Sequence, residues 1–348
     1  MRFAPELTGP SDPVDVTAPR RPGSLRRTTS IDMTRPDGPA GRTLVDARAR
    51  DLVTAADGSA KVQGAAAMTV ALDTAGLITE IGAAPGTPAP PATVDLAALV
   101  GADTRAAFRR DVAAAASGDA EVGGLWHLLL DDLVGARIVS GLAQQHEEVL
   151  LGGGPMHEGI YADVDLLFEV QAGVCAGWDE DATMLRELRH EGSLPVSVGP
   201  LAHDLSSGDE LAWHDVAPLT THSVRRQRLM DLGPLADGGT ASVDAHFRDS
   251  HVAGDGTWRV VHEYTAHGKL DVEAAELTDL TAEARVLPWP ECPAAAASAG
   301  WAVGVPLGEL RQRARGELRG VGTCTHLNDV IRALADLPHM SSPVANAS

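Results

Sequence analysis

Cys324 and His326 stand two residues apart in the stretch Gly320-Val321-Gly322-Thr323-Cys324-Thr325-His326-Leu327-Asn328-Asp329, behind glycines and at the start of an apolar helical run. Thiolate and imidazole are ligands of zinc and of iron, and mixed Cys/His sets are usual for both. Within a helix two such side chains would diverge by about 200°, so only a loop or strand end aims both at one point. The same third of the chain holds His246, His262 and Cys292. Cys292 and Cys324 each precede a helical pattern, and a helix N-terminus favours the thiolate. His246 and His262 fall in neighbouring strand patterns, which a meander can bring to one face. The expected centre is therefore a zinc or iron site of His246, His262, Cys324 and His326, with Cys292 as ligand or neighbour. Asp249 and Glu263 are the candidate catalytic carboxylates. Glu263 follows His262 directly, so in a regular strand it faces away from it, as a surface or second-site carboxylate. Two other readings stay open. Cysteine often acts as a small buried hydrophobe, and these spacings match no standard zinc-finger pattern. Cys324 could also be a metal-free nucleophile with His326 or His262 as base.

The elements that must position these residues come in a repeating order. From Leu25 the chain reads LRRTTSIDM, LVDARARDLV, AAAMTVALD and LITEIG, short alternating runs split by Gly, Asp and Pro, which is the pattern of an antiparallel meander. A Pro-rich link at 85–91 leads to helical patterns at 94–100, 104–116 and 125–150. The order returns with VRRQRLMDL from Val224, SVDAHFRDS from Ser242, WRVVHEYTAHGKLD from Trp258 and AELTDL from Ala275, then Pro288-Trp289-Pro290 and helical patterns at 293–303, 307–318 and 326–337. Val45-Asp46-Ala47 recurs as Val243-Asp244-Ala245, Arg50-Asp51 as Arg248-Asp249, Leu72-Asp73 as Leu270-Asp271, and His127-Leu128 as His326-Leu327. The fold expected is α+β: two tandem meander-plus-helices units forming a pseudo-twofold pair, with a middle insertion. The divisions are 1–22, a disordered leader; 23–150, a degenerate N-terminal repeat; 151–221, a connecting segment whose Gly/Pro/Asp-rich part at 195–218 is read as a lid; and 222–340, the repeat carrying the site. Laid over each other, the copies set His246 against Arg48, His262 against Gly64, Cys292 near Thr93 and Cys324 against Leu125; only His326 keeps a match, His127. One copy has kept a site and the other its framework.

The C-terminal copy resembles a bacterial family known as domain of unknown function 2889, over about residues 222–338. The likeness rests on Arg225-Arg226, Asp244-Ala245-His246, Asp249, Val261-His262-Glu263, Leu270-Asp271, Cys292-Pro293 and Gly322-Thr323-Cys324-Thr325-His326-Leu327. It implies that these residues matter and implies no activity. The layout of a meander followed by Cys-started helices is similar to that of iron–sulfur scaffold proteins, an analogy at the level of fold.

Other features carry less. His146-Glu147 and His157-Glu158 lack the second histidine of a zinc-protease motif and are expected as solvated helix-end groups. Gly152-Gly153-Gly154 lacks the Lys-Ser/Thr of a P-loop, and no dinucleotide motif follows a strand. His203, His214 and His222 belong to the middle loop and its end, with a surface role the plainer reading. Phe247, Trp258, Tyr264, Trp289 and Trp301 point to a main core or pocket in the C-terminal copy. The formal charge of −20 excludes a nucleic-acid partner, whose binding is mostly cationic. No apolar run reaches the roughly 18 residues of a membrane span. Three cysteines are too few for a disulfide framework, so a cytoplasmic, reduced protein is expected. Taken together, the sequence points to a metal-dependent enzyme acting on a small organic molecule, of hydratase, hydrolase or lyase type, as monomer or homodimer. The alternatives are a non-catalytic metal- or ligand-binding protein and a metal-free Cys/His enzyme.

Overall fold

A computed structural model describes residues 1–105, 107–152 and 164–345. Glycines 153–154 and the pair His157-Glu158 fall outside them. The fold is α+β. Ten strands are described: β1 (Arg2–Phe3), β2 (Ser24–Thr34), β3 (Thr43–Thr54), β4 (Ala60–Leu72), β5 (Ile78–Ala83), β6 (Pro195–Val196), β7 (Ser223–Leu232), β8 (Thr240–Val252), β9 (Trp258–Asp271) and β10 (Glu276–Val286). The helices are α1 (Phe108–Ala115), α2 (Ser117–Glu121), α3 (Leu125–Leu150), α4 (Val164–Gln171), α5 (Thr183–Glu191), α6 (Leu307–Glu317), α7 (Thr325–Ala333) and α8 (Leu337–Ala345). Among the described residues, no helix is long and apolar enough to cross a membrane.

Eight strands form one antiparallel sheet in the order β5-β4-β3-β2-β7-β8-β9-β10. Each half is a four-stranded meander, and the halves meet where β2 pairs β7, from Leu25 opposite Leu232 to Met33 opposite Val224. Charged pairs recur on the two sides of this seam. Arg26 bonds Asp231 at 2.8 and 2.6 Å, and Arg225 bonds Asp32 at 2.7 and 2.6 Å. Arg27 holds Asp51 across β2–β3, as Arg226 holds Asp249 across β7–β8. The helices repeat less closely: α3 has 26 residues and α7 has nine. Val94–Val100 yields only a short 3-10 turn at Ala97–Leu99, and the pattern after Cys292 forms a 3-10 helix, Cys292–Ala302.

Both faces of the central strands are covered, which is why β7 is buried at every position. One face carries the helices. There Ile31 and Met33 pack with Phe108, Val112 and Leu129, and Met230, Phe247 and Tyr264 pack with Leu310, Leu327 and Ile331. The other face carries the N-terminal segment and part of the middle segment. Thr28 and Ser30 bond the two ring nitrogens of His214 at 2.9 and 2.8 Å, Trp213 packs on Leu205 and Leu229, and Thr17 links Leu205 to the Trp213 indole. Three expectations change here. Residues 1–22 are laid against the fold, with β1 paired to β6 and the Val14 main chain bonded to Glu263 and Arg248. The loop after Leu201 lies on the face away from Cys324, so it cannot close over that thiol as a lid. His214, read as a surface residue, is buried there.

His146 and Glu147 are also buried rather than solvated. The 26-residue length of α3 carries its last turns beneath β1 and β8. His146 stacks between Phe3 and His251, with ring centroids 4.8 and 4.6 Å away. Glu147 accepts the Gly254 amide and lies 3.4 Å from His222.

Two predictions follow from these buried groups. Removing one member of a seam pair leaves a buried charge unmatched, so Asp231→Ala is expected to lower unfolding stability by about 3–5 kcal/mol in urea titration. Burial pushes His146 down to about 4 and His251 down to about 3, with Arg259 near both and Asp255 opposing. The unfolded chain binds these protons first, near the ordinary imidazole value of about 6.5. The stabilisation is therefore full above about pH 6.5 and drains away as the pH falls toward about 4. His251→Leu should flatten that limb of a stability-versus-pH curve.

Candidate metal centre

The centre is built where β8, β9 and the start of α7 meet on the helix face. Antiparallel pairing sets Asp249 opposite His262, and the register slips immediately after this pair. Gly320, at φ 85°, turns the chain into α7 in a backbone region closed to most residues. Cys324 then holds an extended conformation just before the first helical turn, and the turn lays His326 over His262. The two rings stack at 3.6 Å with 21° between their planes.

Three ligand atoms converge. Asp249 Oδ2 lies 3.6 Å from His262 Nδ1 and 3.8 Å from His326 Nε2, and all three atoms are within 4.8 Å of one another. These separations exceed hydrogen-bond length. Both nitrogens are buried and have no hydrogen-bond partner. An orphaned buried donor or acceptor costs about 1–3 kcal/mol, and here two of them point at one carboxylate. Asp249 is itself fixed. Arg226 bonds its two oxygens at 2.8 and 3.0 Å and reaches Asp329 at 2.7 Å. Burial alone would push the Asp249 carboxyl up, but the guanidinium holds it down at about 2, so it is ionised. Burial, and then the stacked His262, push His326 well below the usual imidazole range, so its ring is neutral and offers a lone pair. Two imidazoles and one carboxylate are a set suited to zinc or to iron(II).

The sequence-derived candidates separate into three places. Asp249, expected as a catalytic carboxylate and not as a ligand, joins His262 and His326. Cys324 lies behind His326, with Sγ 3.7 Å from Nδ1, the nitrogen that faces away from Asp249. Its thiol is pushed up by burial, beside the Tyr264 hydroxyl. Cys292 is buried in the same core, near half-buried Cys175, whose thiol burial pushes up to about 12; a Cβ added to Gly177 would lie 3.0 Å from the Cys292 sulfur. His246 is not in the centre, contrary to expectation. It is paired with Leu229 on the opposite face of the sheet, where Nε2 meets Glu263 Oε1 at 2.5 Å and Arg248 holds the same oxygen at 2.9 Å. The reason is strand alternation: Asp249 and His246 are three residues apart on β8, so they face opposite ways. The same alternation puts Glu263 with His246 and away from His262.

Four residues that complete the centre were not singled out for chemistry: Arg226, Asp329, Tyr264 and Gly135. Arg226 carries the clearest signal, because an arginine in a strand buried at every position needs a buried carboxylate. Gly135 has none in the sequence. It sits mid-helix in α3, and a Cβ there would lie 1.6 Å from Arg226 Nη1 and 2.5 Å from Asp329 Oδ2. Gly135→Ala should gain about 1 kcal/mol of helix propensity. The clash is expected to dominate, giving a net loss of stability in thermal unfolding.

No curated protein and no solved structure matches the chain. One family model does, described as "Protein of unknown function (DUF2889)", and it matches residues 224–339. That span contains Arg226, Asp249, His262, Cys324, His326 and Asp329, so all three candidate ligands lie within the part of the chain that matches the DUF2889 family, while Gly135 lies outside it.

Proposed function

We propose that this protein binds one divalent transition-metal ion, zinc or iron, through Asp249, His262 and His326. The observation that carries the reading is the pair of buried, unpartnered nitrogens, His262 Nδ1 and His326 Nε2, both directed at a carboxylate that Arg226 keeps ionised. A metal ion would satisfy both nitrogens and the anion together. When bound, it would supply Lewis acidity or lower the pKa of a bound water. The chain's own contribution is to fix the carboxylate through Arg226 and to stack the two rings.

Metal-dependent catalysis on a small organic molecule, by hydration, hydrolysis or elimination, is the second reading. It is favoured by the number of protein ligands: three leave a coordination position open, whereas purely structural zinc sites are closed by four. The burial of all three ligands weighs toward metal holding as the primary function. A Cys324 nucleophile is disfavoured, because burial keeps its thiol protonated.

The test is elemental analysis of protein expressed with zinc or iron supplied, beside Asp249→Ala and His262→Ala. About one equivalent is expected in the parent protein and far less in the variants. Less than about a tenth of an equivalent in the parent would sink the proposal. Chelation should also lower unfolding stability, by about 2.7 kcal/mol relative to metal present at 100 times its dissociation constant.

A further inference from the structure

We propose that Cys324 acts on this centre from behind, as the positioning residue of His326 and not as a metal ligand. The inference rests on the reading of Asp249, His262 and His326 as the ligand set. An imidazole gives a metal one nitrogen, while the other carries a proton and needs an acceptor that fixes the tautomer and the ring's orientation. His326 is arranged in this way. Its Nε2 faces Asp249 and has no hydrogen-bond partner. Its Nδ1 faces the helix start, where Cys324 Sγ lies at 3.7 Å and Thr325 Oγ1 at 3.5 Å. The second contact is at the outer limit for an oxygen acceptor, whereas sulfur is larger and accepts at longer range.

Cys324 suits the role better than Thr325. Its side chain is buried within the core formed by Tyr264, Phe247 and Leu327, while Thr325 is half-buried. With the Nδ1–H donating to sulfur, Nε2 is left as a lone pair directed at the carboxylate. The two-residue spacing then has a different meaning from shared ligation. The extended backbone of Cys324, at φ −129° and ψ 128°, sets the thiol against the far side of the second ring. The metal would see two nitrogens and an oxygen with no sulfur, which favours borderline ions such as zinc, iron(II) or cobalt(II) over soft copper(I).

Cobalt(II) titration of the full-length protein, followed by visible and near-ultraviolet absorption, tests the assignment. The expected spectrum has cobalt d–d bands and no sulfur-to-cobalt charge-transfer band. Cys324→Val should weaken cobalt binding about 10–100-fold. Cys324→Ser, which restores an acceptor, should recover most of that loss, and Thr325→Val should bind as the parent does. A charge-transfer band that disappears in Cys324→Ser would place the sulfur on the metal and overturn the inference while leaving the metal reading intact. Equal affinity of Cys324→Val and the parent would also overturn it. If the parent binds no cobalt, the metal reading itself fails and this inference fails with it. Should Cys324→Val not fold, the spectra of the parent and Cys324→Ser still decide between ligand and positioning residue.

Discussion

Guanidinium–carboxylate pairs held out of water fix this fold. The central strands β2 and β7 carry Arg26, Arg27, Arg225, Arg226 and Arg228, all buried. A buried charge without a partner costs several kcal/mol, so each arginine restricts where a carboxylate must be. Within the sheet this sets register, because Arg26 opposite Asp231 and Arg225 opposite Asp32 are satisfied in only one alignment of β2 with β7. Between layers it sets the helices. Arg228 bonds Asp132 of α3 at 2.6 and 2.8 Å, Arg226 reaches Asp329 of α7, and Arg27 reaches Asp336 at 3.0 Å, just after α7. Asp131 of α3 then meets Arg315 and Arg332, which ties α3 to α6 and α7. The pairing of arginine with acid therefore acts as an alignment device as much as a source of stability.

The candidate metal centre depends on this network. Arg226 lies between two carboxylates, and the one it holds on the sheet is Asp249. The guanidinium lies 4.9 Å over the Phe247 ring, and its path past α3 is open only because residue 135 has no side chain. In consequence Asp249 is ionised and immobile in a buried place. The histidines add two buried nitrogens, His262 Nδ1 and His326 Nε2, without a hydrogen-bond partner. A fixed anion beside two unpartnered imidazole nitrogens is an arrangement suited to a cation. The same groups would be a poor way to fill a core that had no cation to hold.

The sheet also separates two polar clusters that adjoin in sequence. His262 and Glu263 are neighbours, yet one belongs to the candidate metal centre and the other to the His246–Glu263–Arg248 cluster under the N-terminal segment. Each strand thus serves two layers, and covering both faces is what buries so much polar surface. The N-terminal segment and the loop after Leu201 cover the far face, which leaves the helix face to α3, α6 and α7.

By itself the sequence determined the strand runs, the meander order, the α+β class and a set of residues in its last third that includes Asp249, His262, Cys324 and His326. These follow from local rules, alternation and breakers, and from comparing the two copies, of which only the C-terminal one holds Cys292, Cys324, His246 and His262. It also implied that His262 and Glu263 face apart, because the period of a strand is two. The same rule applied between Asp249 and His246 would have excluded His246 from the centre, but only once both were known to lie on one regular strand. Which nitrogen of His326 faces Asp249, and that Cys324 lies behind the ring, depend on how α7 docks. The place of the middle loop depends on which face the helices leave free. Those choices belong to the tertiary structure, because they are set by the arginines of β2 and β7 finding carboxylates that stand up to about 300 residues away in the chain, as Arg27 and Asp336 do, and no local pattern carries that pairing.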